Sequence, residues 1–162
     1  MRKVVTFLWF NDQAKEAVDF YVSLFDNAKI INTSYLTESV AQISGKKAGE
    51  LLTIDFELNG QNFTALNGGP MFTFSGAISI LVNCKTQEEI DNLWEALSEG
   101  GEGLSCGWIK DRYGLTWQIV PESLDIMMRD PDTAKADRVS AAMLSMEGKL
   151  NISELEKAYK GE

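Results

Sequence analysis

The side chains that most often carry chemistry are sparse in this sequence. Histidine is absent, and the two cysteines, Cys84 and Cys106, lie far apart without a CxxC pair. The lack of histidine excludes His-bearing triads and His-ligated metal sites, which leaves Cys, Asp, Glu and amide oxygens as possible ligands. Cys106 stands between Ser105 and Gly107 with no imidazole to activate it, so we interpret it as a structural thiol.

Two pairs of charged side chains could act on a substrate. Asp55 and Glu57 share one face of an alternating segment and could form a pair, although a solvated strand face is the favoured interpretation. Asp111 and Arg112 lie in a turn, where they either polarise a substrate or simply hold the turn, and the structural role is favoured. The sequence therefore identifies no catalytic residue.

Charge and glycine placement exclude several classes of partner. Lys and Arg number 15 against 24 Asp and Glu, a net charge of −9. This balance predicts no binding to nucleic acid or to an anionic membrane surface, because both require a basic footprint. The corner between the first strand and first helix, residues 10–13, contains no glycine, which disfavours a nucleotide phosphate site. A small molecule is the expected partner.

Length and composition predict one globular domain. The chain has 162 residues, of which 44% are hydrophobic and 24% charged. The apolar run at residues 4–10 ends at Asn11 and Asp12 without a cleavage site, so we interpret it as a core strand and not as a signal peptide. No apolar stretch approaches the roughly 18 residues of a membrane span. Two isolated thiols favour a reducing compartment, and we predict a cytoplasmic protein.

The first half alternates strands with one helix. Asp12 is expected to cap the helix, Asn59 and Gly60 to form a hairpin turn, and residues 67–70 a tight turn. Residues 38–49 are polar and are expected to be a mobile loop. The predicted strands are 3–10, 29–35, 51–58 and 61–66, and the predicted helix is 13–25.

The second half repeats this order and then becomes helical. Thr86 is expected to cap a helix over 87–98, with acidic residues in its first turn. The predicted strands are 77–83, 104–110 and 114–120, and the predicted tail helices are 123–129, 133–146 and 152–159.

An internal repeat relates the two halves. When the second half of the sequence is aligned with the first at one constant offset, Val18 matches Ile90, Asp19 matches Asp91 and Asn11 matches Asn83. The apolar helix stripes and the strand-to-helix corners then coincide. The alternative is the chance alignment of two amphipathic helices. Two copies of a strand, a helix and three strands would form two half-sheets that enclose a cavity between them.

Three segments carry a family resemblance: residues 7–10 with 17–21, the run Thr64–Pro70, and the run Cys106–Gln118. Together they resemble the PhnB-like branch, labelled 3-demethylubiquinone-9 3-methyltransferase, of the glyoxalase/bleomycin-resistance/dioxygenase (vicinal oxygen chelate) superfamily. The resemblance covers nearly the whole chain, including the tail. It implies an α+β fold in which tandem βαβββ modules form curved half-sheets around a cavity, with a C-terminal helical tail, assembled as a homodimer. The implied single domain, 1–162, comprises modules at about 1–70 and 76–121 and a tail at about 122–162.

The resemblance also indicates where metal ligands would lie. Metal enzymes of the superfamily place His and Glu side chains at positions that match Val5, about Ala65, about Ala77, and Gln118. Three of these are aliphatic and the fourth is a neutral amide, so we predict no metal and no cofactor. Nothing in the chain resembles a methyl-donor site, so the methyltransferase label is not supported by the residues.

Strand parity predicts the lining of the cavity. If Val5 and Gln118 point inward, as the resemblance implies, so do the side chains two residues away on the same strands. The alternative is that these side chains only fill the sheet interior. The predicted ligand-binding residues are Phe7, Trp9, Asn67, Ser79, Thr116 and Gln118.

These residues would make a mostly apolar pocket with a few amides and hydroxyls. We expect a small-molecule-binding protein without a transition-metal site, whose ligand is apolar or planar. The alternative is a metal-free or carboxylate-metal enzyme acting on a small metabolite. The apolar residues of the tail are expected to pack outside the sheets or at a subunit contact; they are Ile126, Met127, Val139, Met143, Leu144 and Leu155.

Overall fold

A computed structural model describes residues 4–162, and the chain forms two compact units that divide between Phe74 and Ser75. Each unit contains one four-stranded open sheet of mixed strand direction together with helices. The predicted α+β class is therefore confirmed. No helix among the described residues is both long and apolar enough to cross a membrane.

The first unit has the strand order β1-β4-β3-β2, with β1 parallel to β4 and the other pairs antiparallel. The predicted first strand began at Lys3, which lies outside the described residues. The elements of this unit are β1 (Thr6–Phe10), α1 (Ala14–Ser23), β2 (Ala28–Tyr35), α2 (Glu38–Ser44), β3 (Leu51–Leu58) and β4 (Gln61–Asn67).

The second unit has the equivalent order β5-β8-β7-β6, again with its first strand parallel to its last. This common connectivity confirms the predicted repeat of strand, helix and three strands. The elements are β5 (Ser79–Cys84), α3 (Gln87–Ser98), β6 (Glu102–Gly103), β7 (Trp108–Lys110), β8 (Thr116–Pro121), α4 (Glu122–Met128), α5 (Thr133–Ser145) and α6 (Ile152–Lys160).

Helix α1 packs on the sheet of the first unit through one apolar stripe. Its buried residues are Ala14, Ala17, Val18 and Tyr21, which recur at helical spacing. The strands oppose this stripe with every second side chain, as the alternation in residues 51–58 predicted. The buried strand residues are Leu8, Phe10, Ile54, Phe56, Leu58, Phe63 and Ala65.

The two module helices begin differently. Thr86 caps α3 as predicted, because its hydroxyl accepts a hydrogen bond from the Glu89 amide at 3.2 Å. The predicted cap of α1 by Asp12 is wrong. Gln13 occupies that position without a side-chain cap, and the Ala14 amide donates to Oδ1 of Asn67 at 2.8 Å. The first orphan amide of α1 is thus satisfied from the end of β4.

The predicted loop at 38–49 is wrong in part, because α2 occupies residues 38–44. Helix α2 begins after the extended residue Thr37 and ends where Gly45 adopts φ +70°. Ala41 is its buried side chain, whereas Ile43 is exposed. The polar sequence concealed a helix this short because almost none of its surface is buried.

Two other boundaries differ from the predictions. The predicted strand 104–110 is interrupted: only 108–110 form β7, and the chain turns at Cys106, whose φ is +59°. Residues 67–70 do not form a simple tight turn, since the Gly68 and Gly69 amides donate to the carbonyls of Phe10 and Asn11. This segment therefore extends alongside the end of β1 before the chain turns.

The tail has an apolar cluster of its own, built around the end of β8. Its buried members are Val120, Leu124, Met127, Val139, Met146, Leu150 and Leu155, with Met143 packed against them. Ile126 and Leu144, in contrast, are 73% and 68% exposed. Of the six apolar tail residues singled out in the sequence, three lie in this cluster, one borders it and two face outward.

Candidate functional site

The sheet of the second unit has one face buried under α3 and one open face. Ile109, Trp117 and Ile119 are buried, and because side chains alternate, Trp108 and Gln118 lie on the opposite face. The register pairs Gln118 with Trp108 on one side and with Leu81 on the other. A row of one indole, one amide and one leucine therefore crosses the open face.

Gln118 is held by its neighbour in the sheet. Its Nε2 donates to Oγ of Ser79 at 2.7 Å, and Ser79 is paired in register with Thr116, which is buried. The structure thus brings together the three site residues that the sequence predicted in this unit. The hydrogen bond fixes the orientation of the Gln118 amide within the sheet.

A cleft of about 260 Å³ lies over this row. The sheet contributes side chains from its three longer strands, together with a cysteine from the turn before β7: Leu81, Asn83, Cys106, Trp108, Gln118 and Val120. The remaining lining residues are Pro121 at the end of β8, Leu124, Asp125 and Met128 of α4, and Met143 of α5. The lining is mainly apolar, with two amides and one carboxylate.

The turn at Cys106 is tied to the tail. The Cys106 amide donates to the Met146 carbonyl at 3.0 Å, and the Gly107 amide donates to the Gly148 carbonyl at 2.8 Å. Gly107 has φ +78°, and a Cβ there would lie 2.6 Å from the Ile119 carbonyl oxygen. Both cysteines of the chain are free thiols, and the sequence did not predict that Cys106 lines a cleft.

Asp111 holds the β7–β8 hairpin, in line with the structural interpretation of this turn. The residue is 3% exposed, and its carboxylate accepts hydrogen bonds from two backbone amides and one indole. These are the Tyr113 amide at 2.9 Å, the Leu115 amide at 3.0 Å and Nε1 of Trp117 at 2.8 Å. The turn therefore sets the register that aligns Trp108 with Gln118.

Trp9 in the first unit is partly covered by the chain that follows β4. Its Nε1 donates to the Gly69 carbonyl at 2.8 Å, and its ring meets Phe72 edge-on at 5.0 Å. A Cβ added to Gly68 would overlap the indole, so only glycine allows this approach. Phe7, on the same face, is 58% exposed, whereas Leu8 is buried, which confirms the predicted parity of β1.

Asn67 is engaged by its own unit. Besides accepting from the Ala14 amide, its side chain donates from Nδ2 to the Leu51 carbonyl at 3.3 Å. Its backbone carbonyl accepts from Nζ of Lys46 at 2.8 Å. These contacts join α1, β3 and β4 beside a second cleft of about 380 Å³. Asn67 therefore has a structural role, and ligand contact by this residue stays a prediction.

The paired carboxylates of β3 are bound to their neighbours. Oδ1 of Asp55 accepts from the Thr64 hydroxyl at 2.7 Å, and Glu57 lies 3.9 Å from Nζ of Lys29. Between residues 4 and 162 no group of three His, Cys, Asp or Glu side chains could hold a metal ion. Ala65, matched above to a ligand position, lies on the buried α1-facing side of β4, so Thr64 occupies the open face there.

The tail contains a second polar network. Nε and Nη2 of Arg138 donate to the carbonyls of Ala158 and Tyr159 at 2.9 and 3.0 Å, at the end of α6. The Tyr159 hydroxyl donates to Asp130, and this hydrogen bond, with one from the Asp132 amide, lowers the pKa of the Asp130 carboxyl. The network joins α5, α6 and the segment between α4 and α5.

The duplicated βαβββ connectivity and the open sheet faces define a PhnB-like protein of the glyoxalase fold. The chain belongs to the family described as 3-demethylubiquinone-9 3-methyltransferase, whose family model matches residues 2–120. A solved structure described as a putative 3-demethylubiquinone-9 3-methyltransferase, PhnB protein, from Bacillus cereus is 36% identical, with a TM-score of 0.64. The match covers 74% of this chain and 99% of that one.

A more distant structure supports the fold alone. A protein from Pseudomonas aeruginosa is 18% identical with a TM-score of 0.54, covering 75% of this chain and 98% of that chain. No curated protein matches this sequence. The family match ends at residue 120, so the extension of the resemblance over the tail stays a prediction.

Proposed function

We propose that this protein binds a small apolar or planar molecule in the cleft on the open face of its second sheet. The observation that carries the proposal is the cleft itself, about 260 Å³ with apolar walls and few polar groups. Ligand sites in proteins typically have this composition, because apolar area supplies affinity and a few fixed polar groups supply orientation. The volume suits a compact ring system.

Two side chains would orient the ligand. Trp108 offers an aromatic edge or face for stacking, and the Gln118 amide, held by Ser79, offers polar atoms in the lining of the cleft. Asn83 supplies a second amide on the same lining. For a ligand held by the first unit instead, Phe7 and Trp9 on the open face of its own sheet are the proposed apolar contacts.

We further propose that binding requires no transition metal. The chain contains no histidine, and Gln118 occupies the one polar position among those matched to superfamily ligands. A neutral amide is a poor ligand for zinc, nickel or iron. Metal analysis of protein purified without a tag should give less than stoichiometric transition metal, and a stoichiometric content would overturn this part of the proposal.

A homodimer in the cytoplasm is the proposed state of the protein. Large apolar side chains on the open faces support the homodimer, among them Phe7 at 58% and Leu81 at 50% exposure. A second copy would remove such surface from water, as symmetric dimers commonly do. Sedimentation velocity should show a dimer at micromolar concentration, and a stable monomer would contradict this assembly.

A thermal-shift screen against a metabolite library tests the binding proposal. Ligands that raise the melting temperature are then titrated against Gln118→Leu, which should weaken a polar ligand by ~1–3 kcal/mol because one buried partner is lost. Gln42→Leu, which removes an exposed amide on α2, is the matched control and should leave the affinity unchanged. Equal affinities for the wild type and Gln118→Leu would contradict the proposed site.

Tryptophan fluorescence identifies the sheet that carries the ligand. Quenching by a bound ligand should disappear in Trp108→Leu and persist in Trp9→Leu if the cleft of the second unit is the main site. Loss of the signal in Trp9→Leu alone would assign the ligand to the open face of the first sheet instead. Failure of every library compound to bind would overturn the function itself.

A further inference from the structure

We propose that helices α4 and α5 of the tail are the specificity-determining wall of the cleft, and that they select aromatic ligands without negative charge. This inference rests on the proposed function. It adds the class of ligand, and it assigns selection to a segment that lies beyond the family match, which ends at residue 120.

The tail side of the cleft is apolar and rich in sulfur. Leu124 and Met128 from α4 and Met143 from α5 line the cleft together with Trp108 and Gln118 of the sheet. Thioether side chains are polarizable and flexible, and they make favourable contacts with aromatic rings. A flat ring between these methionines and the open face of the sheet would contact apolar atoms on both sides.

The charges around the cleft disfavour anions. Asp125 is the one charged residue of the lining, and no Lys or Arg is part of it. Nε of Arg129 lies 2.7 Å from Oδ1 of Asp125, and both side chains are largely exposed, so this pair partly neutralises the carboxylate at the rim. A carboxylate or phosphate ligand would find no basic group in the lining, in a chain of net charge −9.

The wall is firmly attached to the sheet. Val120 of β8 belongs to the same buried cluster as Leu124, and Met143 packs against that cluster. Gln87 at the start of α3 donates from Nε2 to the Leu150 carbonyl at 3.1 Å and accepts from the Ile152 amide at 2.9 Å. Because these contacts position the wall without a ligand, its shape can discriminate between ligands.

Three naphthalene probes of similar size test the inference: 2-naphthylmethanol, 2-naphthylmethylammonium and 2-naphthoate. The full chain carries ¹³C in its methionine methyl groups and ¹⁵N in its glutamine side-chain amides, and binding is followed by NMR. A ring bound against the wall should shift the methyl signals of Met128 and Met143, whereas that of Met71, exposed in the first unit, should stay unchanged. We expect the neutral and cationic probes to bind at least fivefold more tightly than naphthoate.

Two variants test the role of charge. Asp125→Asn should reduce the preference for the ammonium probe over the carboxylate probe by about two- to fivefold, because a negative charge is lost from the lining and an exposed charge usually contributes this much. Asp137→Asn is the matched control, because it removes an exposed carboxylate of α5 that does not line the cleft. Naphthoate binding as tight as that of the ammonium probe would overturn the proposed selection.

The outcomes separate this inference from the proposed function. Shifts of the Gln118 amide with static Met128 and Met143 methyl groups would leave the binding site in place and overturn the role of the tail. If no probe shifts either the amide or these methyl groups, both proposals are wrong for aromatic ligands. Shifts of both sets of signals, with the expected order of affinities, would support both proposals.

Discussion

Replacement of Asp111 by alanine should destabilise the second unit more than almost any other single polar substitution. The change removes the acceptor of hydrogen bonds from two donors on buried residues, the Leu115 amide and Nε1 of Trp117. A third donor, the Tyr113 amide, lies in a half-buried residue and can be reached by water more readily.

The magnitude follows from the cost of unsatisfied donors. Each buried donor that loses its partner costs roughly 1–3 kcal/mol, so two of them cost about 2–6 kcal/mol. We expect Asp111→Ala to lower the free energy of unfolding by about 3–5 kcal/mol. Asp111→Asn keeps the shape and one carbonyl acceptor but turns an NH₂ group towards one of the donors, so it should lose about half as much.

Urea unfolding followed by circular dichroism and by tryptophan fluorescence measures the loss. Trp117→Phe removes one donor, so the double variant Asp111→Ala/Trp117→Phe should lose less than the sum of the two single changes. A loss below about 1 kcal/mol for Asp111→Ala would refute the reasoning, because the carboxylate would then contribute no more than a surface group. Additive losses would refute the direct coupling between the two side chains.

Three further perturbations have defined outcomes. Gly68→Ala should lower the free energy of unfolding by ~1–3 kcal/mol, because the added methyl group must displace the Trp9 indole, which is hydrogen-bonded to Gly69. Urea titration measures this loss, and an unchanged midpoint would contradict the packing. Burial, and to a smaller extent the charge of Glu89, raises the pKa of Cys84 to about 11. Iodoacetamide at pH 8 should therefore alkylate Cys106 well before Cys84. Peptide mass mapping measures the two rates, and equal rates would contradict this expectation. Because the pKa of Asp130 is lower in the folded state, its contribution is present above the unfolded value of about 3.9 and is lost as the pH falls through the folded value. The stability difference between wild type and Tyr159→Phe should therefore be constant from about pH 5 to about pH 9 and shrink in acid. A difference that grows in acid would be inconsistent with this hydrogen bond.

Much of the fold could be predicted because its signals are local. Thr86 caps α3 through an amide three residues away, and Asn59 and Gly60 adopt the positive φ values that a tight hairpin needs. The alternation in 51–58 assigned each side chain of β3 to a face because the strand has a period of two. Repeats of such local patterns were enough to predict two equivalent modules.

Features that depend on distant contacts were missed. The first amide of α1 is satisfied by Asn67, a partner far away in the chain, so the nearest capping residue, Asp12, was chosen wrongly. The predicted strand 104–110 breaks at Cys106 because carbonyl groups of the tail accept hydrogen bonds from the turn. No pattern within seven residues of sequence contains that information.

The site divides in the same way. The sequence by itself determined the parity that places Ser79, Thr116 and Gln118 on one face. It also determined that no histidine is available as a metal ligand. Only the tertiary structure decided that Met128 and Met143 line the same cleft as Gln118, because they reach it through the packing of separate helices near the end of β8. Strand alternation is dictated by the backbone of one segment, whereas a cleft wall depends on apolar surfaces that meet only when the whole unit folds.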